Sequence, residues 1–154
     1  MTVDRRAVAL VLALAVAAVV VAFWPRRPPS DEELIRALVA QCVEAANARD
    51  VSAISEHLAE DFRASGRGGK QEVKGVLAMH LLKGQPVYAF NPTLDVTVDG
   101  EKAKISGRFL FARAQAKSVD ALPEGSVMSA YRIDADLEKR EREWTFVAAT
   151  HERL

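Results

Sequence analysis

Few side chains in this sequence can do chemistry at neutral pH, and His80 stands out among them. It interrupts an otherwise apolar helical stripe formed by Val73, Val76, Leu77 and Leu81. The unperturbed pKa of an imidazole lies near neutrality, so such a group can take or give a proton. The plainer use is a core or helix-terminal histidine with one hydrogen bond. Asp61 closes a helix-to-turn junction, where a carboxylate is usually solvated. Tyr88 and Tyr131 fall on strand-like stretches, where a tyrosine commonly packs its ring and leaves the hydroxyl at an edge. His57 and His151 read as surface residues.

Other chemistries lack their residues. The histidines show neither metal-ligand spacing nor a matching acid cluster, so no metal is expected, and no cofactor motif calls for one. The glycines at 66, 68 and 69 do not make a phosphate loop: position 64 is Ala, and Gln71 rather than Ser or Thr follows Lys70. There is no Gly-x-Ser-x-Gly elbow and no Cys–His pairing. Cys42, the single cysteine, lies on an apolar helical stripe and reads as a small core residue. From Asp31 onward there are 17 Lys/Arg against 20 Asp/Glu, a net of −3, with no basic stripe, so nucleic acid is not an expected partner.

The elements that must position these residues begin with Ala7–Trp24, which has no charge, amide or hydroxyl. At about 1.5 Å per residue it makes a helix roughly 27 Å long, close to the hydrocarbon thickness of a bilayer. We read residues 1–6 as a cytoplasmic N-terminus, 7–24 as a transmembrane signal anchor, 25–30 as a Pro-rich tether and 31–154 as one domain. Arg5 and Arg6 before the span nearly balance Arg26 and Arg27 after it; the short N-terminus favours a domain outside the cytoplasm. A cleaved signal peptide is the rival reading, since Ala15-Val16-Ala17 offers a small-x-small site.

Ser30-Asp31-Glu32-Glu33 is a capping box opening a helix with Leu34, Ile35, Leu38, Val39, Cys42, Val43 and Ala46 on one stripe. A second helix is predicted over Val51–Leu58 and a third over Lys70–Leu82. The period then changes to two. Val87–Phe90 and Leu94–Val98 read as strand material interrupted by Asn91-Pro92, and Asp99-Gly100 signals a tight hairpin into Lys102–Arg113. Gly107 inside that strand suggests a bulge or bend. Val127–Leu137 and Glu143–Arg153 complete a meander, with Glu138–Arg142 as the turn. The expected class is α+β: three N-terminal helices packed on a curved antiparallel sheet of about four strands, behind one transmembrane helix.

This layout resembles the nuclear transport factor 2-like superfamily, shared with ketosteroid isomerases and polyketide cyclases. The likeness rests on Ala45-Ala46-Asn47-Ala48-Arg49-Asp50, His57-Leu58-Ala59-Glu60-Asp61-Phe62, Glu72-Val73-Lys74-Gly75 and Glu143-Trp144-Thr145-Phe146, in that order, over Asp31–Leu154. The family's first hairpin would fall in Phe62–Gly69, abbreviated here. The resemblance implies a conical cavity between helices and concave sheet, with His80, Tyr88, Phe109, Phe111 and Tyr131 as its expected lining. For an enzyme, His80 or Asp61 would be the base and Tyr131 or Tyr88 the donor. No polar pattern of the isomerase type carries over residue by residue, so the expected function is a non-catalytic binding or assembly module, tethered at the periplasmic face of a bacterial inner membrane. The alternatives are an isomerase- or cyclase-type enzyme acting on an apolar small molecule, and a structural homodimer. Arg108, Arg132, Asp134 and Asp136 share the predicted outer sheet face, either as a solvated charge ladder or as a docking surface for a protein partner.

Overall fold

Ser30 begins the domain in the computed structural model, as its capping box implies. Its Oγ accepts from the Glu33 N–H at 3.2 Å, and the Glu33 carboxylate accepts from the Ser30 N–H at 2.6 Å. The structure describes residues 5–23, 27–66, 68–83 and 85–154. In order they form α1 (Arg5–Ala22), α2 (Asp31–Asn47), α3 (Val51–Glu56), β1 (Leu58–Ala64), β2 (Gly68–Gly69), α4 (Lys70–Lys83), β3 (Tyr88–Asp99), β4 (Lys102–Ala112), β5 (Val127–Arg140) and β6 (Glu143–Arg153).

The strands make one curved six-stranded sheet in the order β2-β1-β6-β5-β4-β3. All pairings are antiparallel except β1 with β6, which is parallel. The class is α+β, with two more strands than expected. Leu58–Ala64 lacks clean alternation in sequence, yet it becomes β1 because Leu58, Ala59 and Phe62 bury against the helices. The expected abbreviated hairpin is β1–β2, where only Arg63 and Ala64 find partners, Gly69 and Gly68.

The core lies between α2 and the concave face. Ile35, Leu38 and Val39 pack on Ala103, Ile105, Ala135, Leu137 and Trp144. Besides a register shift between Leu58 and Arg63 where β1 pairs with β6, three irregularities shape that face. β3 runs unbroken through Asn91-Pro92, which is not an interruption but a bulge between Phe90 and Thr93. Proline is tolerated there because a bulge on an edge strand needs no ladder N–H. Asn91 Nδ2 pins it, donating to the carbonyls of Thr93 and Arg108 at 3.0 and 2.9 Å. On β6 the register shifts opposite Asp136–Leu137, leaving Val147 as the extra residue. The third shift, between Phe111 and Ala112, makes Met128 the extra residue on β5.

Gly107 is not itself a bulge, since its register with Leu94 and Ile133 is continuous. It is glycine because a Cβ would stand 2.8 Å from a Phe109 ring carbon and 3.1 Å from Asn91 Nδ2. β5 outruns the expected Leu137 to Arg140, and the final turn is tighter than Glu138–Arg142, with Glu141 and Arg142 both at positive φ.

Among the described residues no helix is long and apolar enough to cross a membrane. The expected span Ala7–Trp24 coincides with α1 as far as Ala22, and Trp24, Pro25 and Arg26 lie outside the described residues. Every large apolar side chain described on that segment is exposed, from Leu10 to Phe23.

Candidate functional site

The C-terminal half of α2, together with α3, β1 and α4, closes over the concave sheet without filling it. A chamber of about 240 Å³, the inner of two, is lined by Val39, Cys42, Val43 and Ala46 of α2, Ile54 of α3, Leu58 and Phe62 of β1, and by Ile105, Phe109, Phe111, Ile133, Ala135, Phe146 and Ala149 of β4–β6. These are all apolar residues. Burial pushes the Cys42 thiol up to about 11, so it stands in this wall as a neutral small hydrophobe.

An outer chamber of about 420 Å³ adjoins it, sharing Ala46, Leu77, Leu81, Ala89, Phe111 and Ile133 as wall. Here polar groups enter: His80 from α4, Ser129 and Tyr131 from β5, and His151 from β6. The helical stripe with His80 explains its placement. Val76, Leu77, His80 and Leu81 all face the chamber, and no residue of α4 is fully buried because the helix roofs a space rather than a packed layer. Tyr131 packs edge-on to Phe111 at 5.8 Å between ring centroids and lies 6.1 Å from the His151 ring. Among the described residues, no hydrogen bond engages the side chains of His80, Ser129, Tyr131 or His151.

The structure thus brings together His80, Phe109, Phe111 and Tyr131, and it separates two other candidates from them. Tyr88 does not face the cavity. It pairs with Ala112, while its neighbour Ala89 pairs with Phe111 and lines both chambers. Extrapolating the alternation back from Leu94, Val96 and Val98 would turn Tyr88 inward, but the Asn91-Pro92 bulge reverses the faces. Asp61 lines neither chamber. It is exposed on β1 and holds Arg140 with two bonds, 2.6 Å from Nη1 and 3.1 Å from Nη2, which keep its carboxyl below the usual carboxylate range.

His151 and Ser129 are the site residues that sequence reasoning missed. Alternation from Trp144 and Phe146 points even-numbered positions inward, whereas Val147 is an extra residue and sends Ala149 and His151 inward instead. Only the unlike spacing of Phe146 and Ala149 hints at it.

On the outer face Arg108 stands directly opposite Arg132, and Asp134 opposite Ser106 and Thr150. Arg132 lies 3.7 Å from Glu152, and Lys104 lies 3.6 Å from Asp136; all four side chains are largely exposed. Among the described residues, no cluster of three or more His, Cys, Asp or Glu side chains could hold a metal ion.

No protein-family model matches the sequence, and none of the curated proteins is similar to it. Solved structures are similar in fold. A nuclear transport factor 2-like protein with a cystatin-like fold from Novosphingobium aromaticivorans superposes with a TM-score of 0.64 at 19% identity, covering 100% of this chain and 92% of that one. A candidate scytalone dehydratase from the same organism gives 0.66 at 14% identity, covering 80% and 84%. A candidate dehydratase of the nuclear transport factor 2-like family from Streptomyces avermitilis gives 0.66 at 14%, covering 83% and 99%. The fold is therefore that of the nuclear transport factor 2-like, cystatin-like proteins.

Proposed function

We propose that this chain is a membrane-tethered binding module whose cone takes up an apolar small molecule. The observation that carries the proposal is the pair of adjoining chambers, the inner one walled by apolar residues and the outer one bearing unbonded polar groups. Space of this size falls near the range of small-molecule sites, about 300–1,000 Å³. Burying a ligand's apolar surface there gains about 25 cal/mol per Å².

Binding is favoured over turnover because a catalytic imidazole is ordinarily oriented by a second group, commonly a carboxylate. Among the described residues no acidic one lines either chamber. One observation favours the enzyme as a second reading: His80 and Tyr131, a base and a hydroxyl donor, line the same chamber. Candidate dehydratases among proteins of this fold are consistent with it. Recovering the bound molecule chemically unchanged after long incubation separates the two.

The tether rests on the uncharged run of residues 7–24 and on the exposed apolar side chains of α1, which water alone would leave uncovered. Pro25, Pro28 and Pro29 would set a semi-rigid stand-off, and the short N-terminus with its two arginines favours a domain on the periplasmic side of a bacterial inner membrane. Protease cleavage of the domain in intact spheroplasts tests that side; resistance would put it inside.

The binding test is thermal stabilisation of the full chain by apolar small molecules, repeated on Ala135→Phe, which fills the inner chamber. A ligand at a hundred times its Kd stabilises by about 2.7 kcal/mol, and the filled variant should lose that response. No response from the natural chain, or an undiminished one from the variant, overturns the proposal.

A further inference from the structure

The two chambers differ in kind, and the difference specifies an occupant. The inner one offers a bound molecule apolar side chains alone. In the outer one the ionisable lining groups are two imidazoles and a phenol, those of His80, His151 and Tyr131. Arg153 stands opposite Tyr131 in the β5–β6 register, and Lys83 follows His80 in the last turn of α4. The nearest acid in sequence, Glu152, has its carboxylate 3.7 Å from Arg132, on the outer face of the sheet. The polar lining of this chamber is thus made of groups that can each donate a hydrogen bond, and among the described residues no carboxylate lines it.

The rest of the outer chamber's wall is apolar, and Met128 on it is 44% exposed. An unbranched, polarisable methionine there suits the passage of a flexible hydrocarbon chain better than a rigid ring system. A purely apolar guest would leave the polar set at the mouth without a partner.

Building on the binding role proposed above, we infer that the occupant is a single-chain amphiphile with an anionic head, such as a long-chain carboxylate. Its tail lies in the inner chamber and its head meets His80, His151 and Tyr131. Hydrogen bonds to an ionised head are roughly twice as strong as neutral ones, so the head supplies selectivity and the tail supplies affinity.

The test uses the full chain in phosphatidylcholine nanodiscs, with hexadecanoic acid carrying a diazirine at its tail as photolabel. Cross-links should map to the β4 and β5 peptides holding Phe109, Phe111 and Ile133. Unlabelled hexadecanoic acid should compete about tenfold better than hexadecylamine. His80→Gln/His151→Gln should bring that ratio to within about twofold, while competition by hexadecanol, whose head is neutral, should weaken by no more than about twofold. Both imidazoles are exposed, so this variant keeps the fold. Equal competition by acid and amine, or an unaltered ratio in the variant, overturns the anionic head and leaves the binding role standing. Absence of chamber labelling by acid and alcohol probes alike overturns both. Loading the probe into the bilayer beforehand, against delivery from albumin, separates a membrane source from a dissolved one, and labelling by either route supports the assignment.

Discussion

The side-chain amide of Asn47 exchanges two hydrogen bonds with the backbone of Ala89. Nδ2 donates to the Ala89 carbonyl at 3.0 Å, and the Ala89 N–H donates to Oδ1 at 2.6 Å. Ala89 lies on β3, an edge strand of the sheet, so the amide takes the place of a missing strand neighbour. It also ties the end of α2 to a residue that lines both chambers.

Asn47→Ala should therefore cost about 2 kcal/mol, since two edge backbone groups lose their partners. Asn47→Asp should also lose stability: a carboxylate still accepts from the Ala89 N–H but turns its second oxygen toward a carbonyl. Urea unfolding measures both, and a loss for Asn47→Ala below about 0.5 kcal/mol would show that water substitutes freely there.

Asp31 accepts from Lys139 Nζ at 2.7 Å and from Trp144 Nε1 at 3.0 Å, joining the start of α2 to the β5–β6 hairpin. The bond from Lys139, then that from Trp144, holds its carboxyl below the usual range. A folded-state pKa below the unfolded value contributes stability above the unfolded value, about 3.9, and loses it as pH falls through the folded one. Stability followed by Trp144 fluorescence should fall on acidification below about pH 4. Asp31→Asn should flatten that acid limb and be less stable than the natural chain at pH 7. An identical acid limb in the variant would assign the loss to other carboxyls.

Cys42 shows its chamber wall to reagents. With the thiol pushed up to about 11 by burial, alkylation by iodoacetamide at pH 8 should be slow while the chain is folded. Unfolding should accelerate it by about two orders of magnitude, as the thiol returns to a pKa near 8.5. Equal rates in folded and unfolded protein would mean that the inner chamber opens freely to solvent.

Gly107→Ala should perturb stability and binding together. The new Cβ would stand 2.8 Å from the Phe109 ring and 3.1 Å from both Asn91 and Leu94. Since Phe109 lines the inner chamber, relief by ring movement narrows it. Overpacking of this kind costs about 1–3 kcal/mol. Thermal unfolding should register the loss, and ligand-induced stabilisation should shrink with it. A variant as stable as the natural chain would show that the ring yields without cost.

Local signals in the sequence determined a good part of this protein. The Ser30–Glu33 box sets where α2 starts, Asp99-Gly100 sets the first long hairpin, and the span Glu143–Arg153 is the last strand residue for residue. The helical period of Val76, Leu77, His80 and Leu81 was enough to put His80 on the chamber side of α4. These features depend on neighbours a few residues apart, which a linear reading contains. Tertiary structure alone decided the rest. Leu58–Ala64 became a strand because β6 offered it a parallel edge and the helices offered it cover. The bulges at Asn91-Pro92 and Val147 turned Tyr88 out of the cavity and His151 into it. One extra residue reverses every side chain beyond it, and whether a strand accommodates that residue depends on the partner strand's register, a quantity set by chain segments far away in sequence.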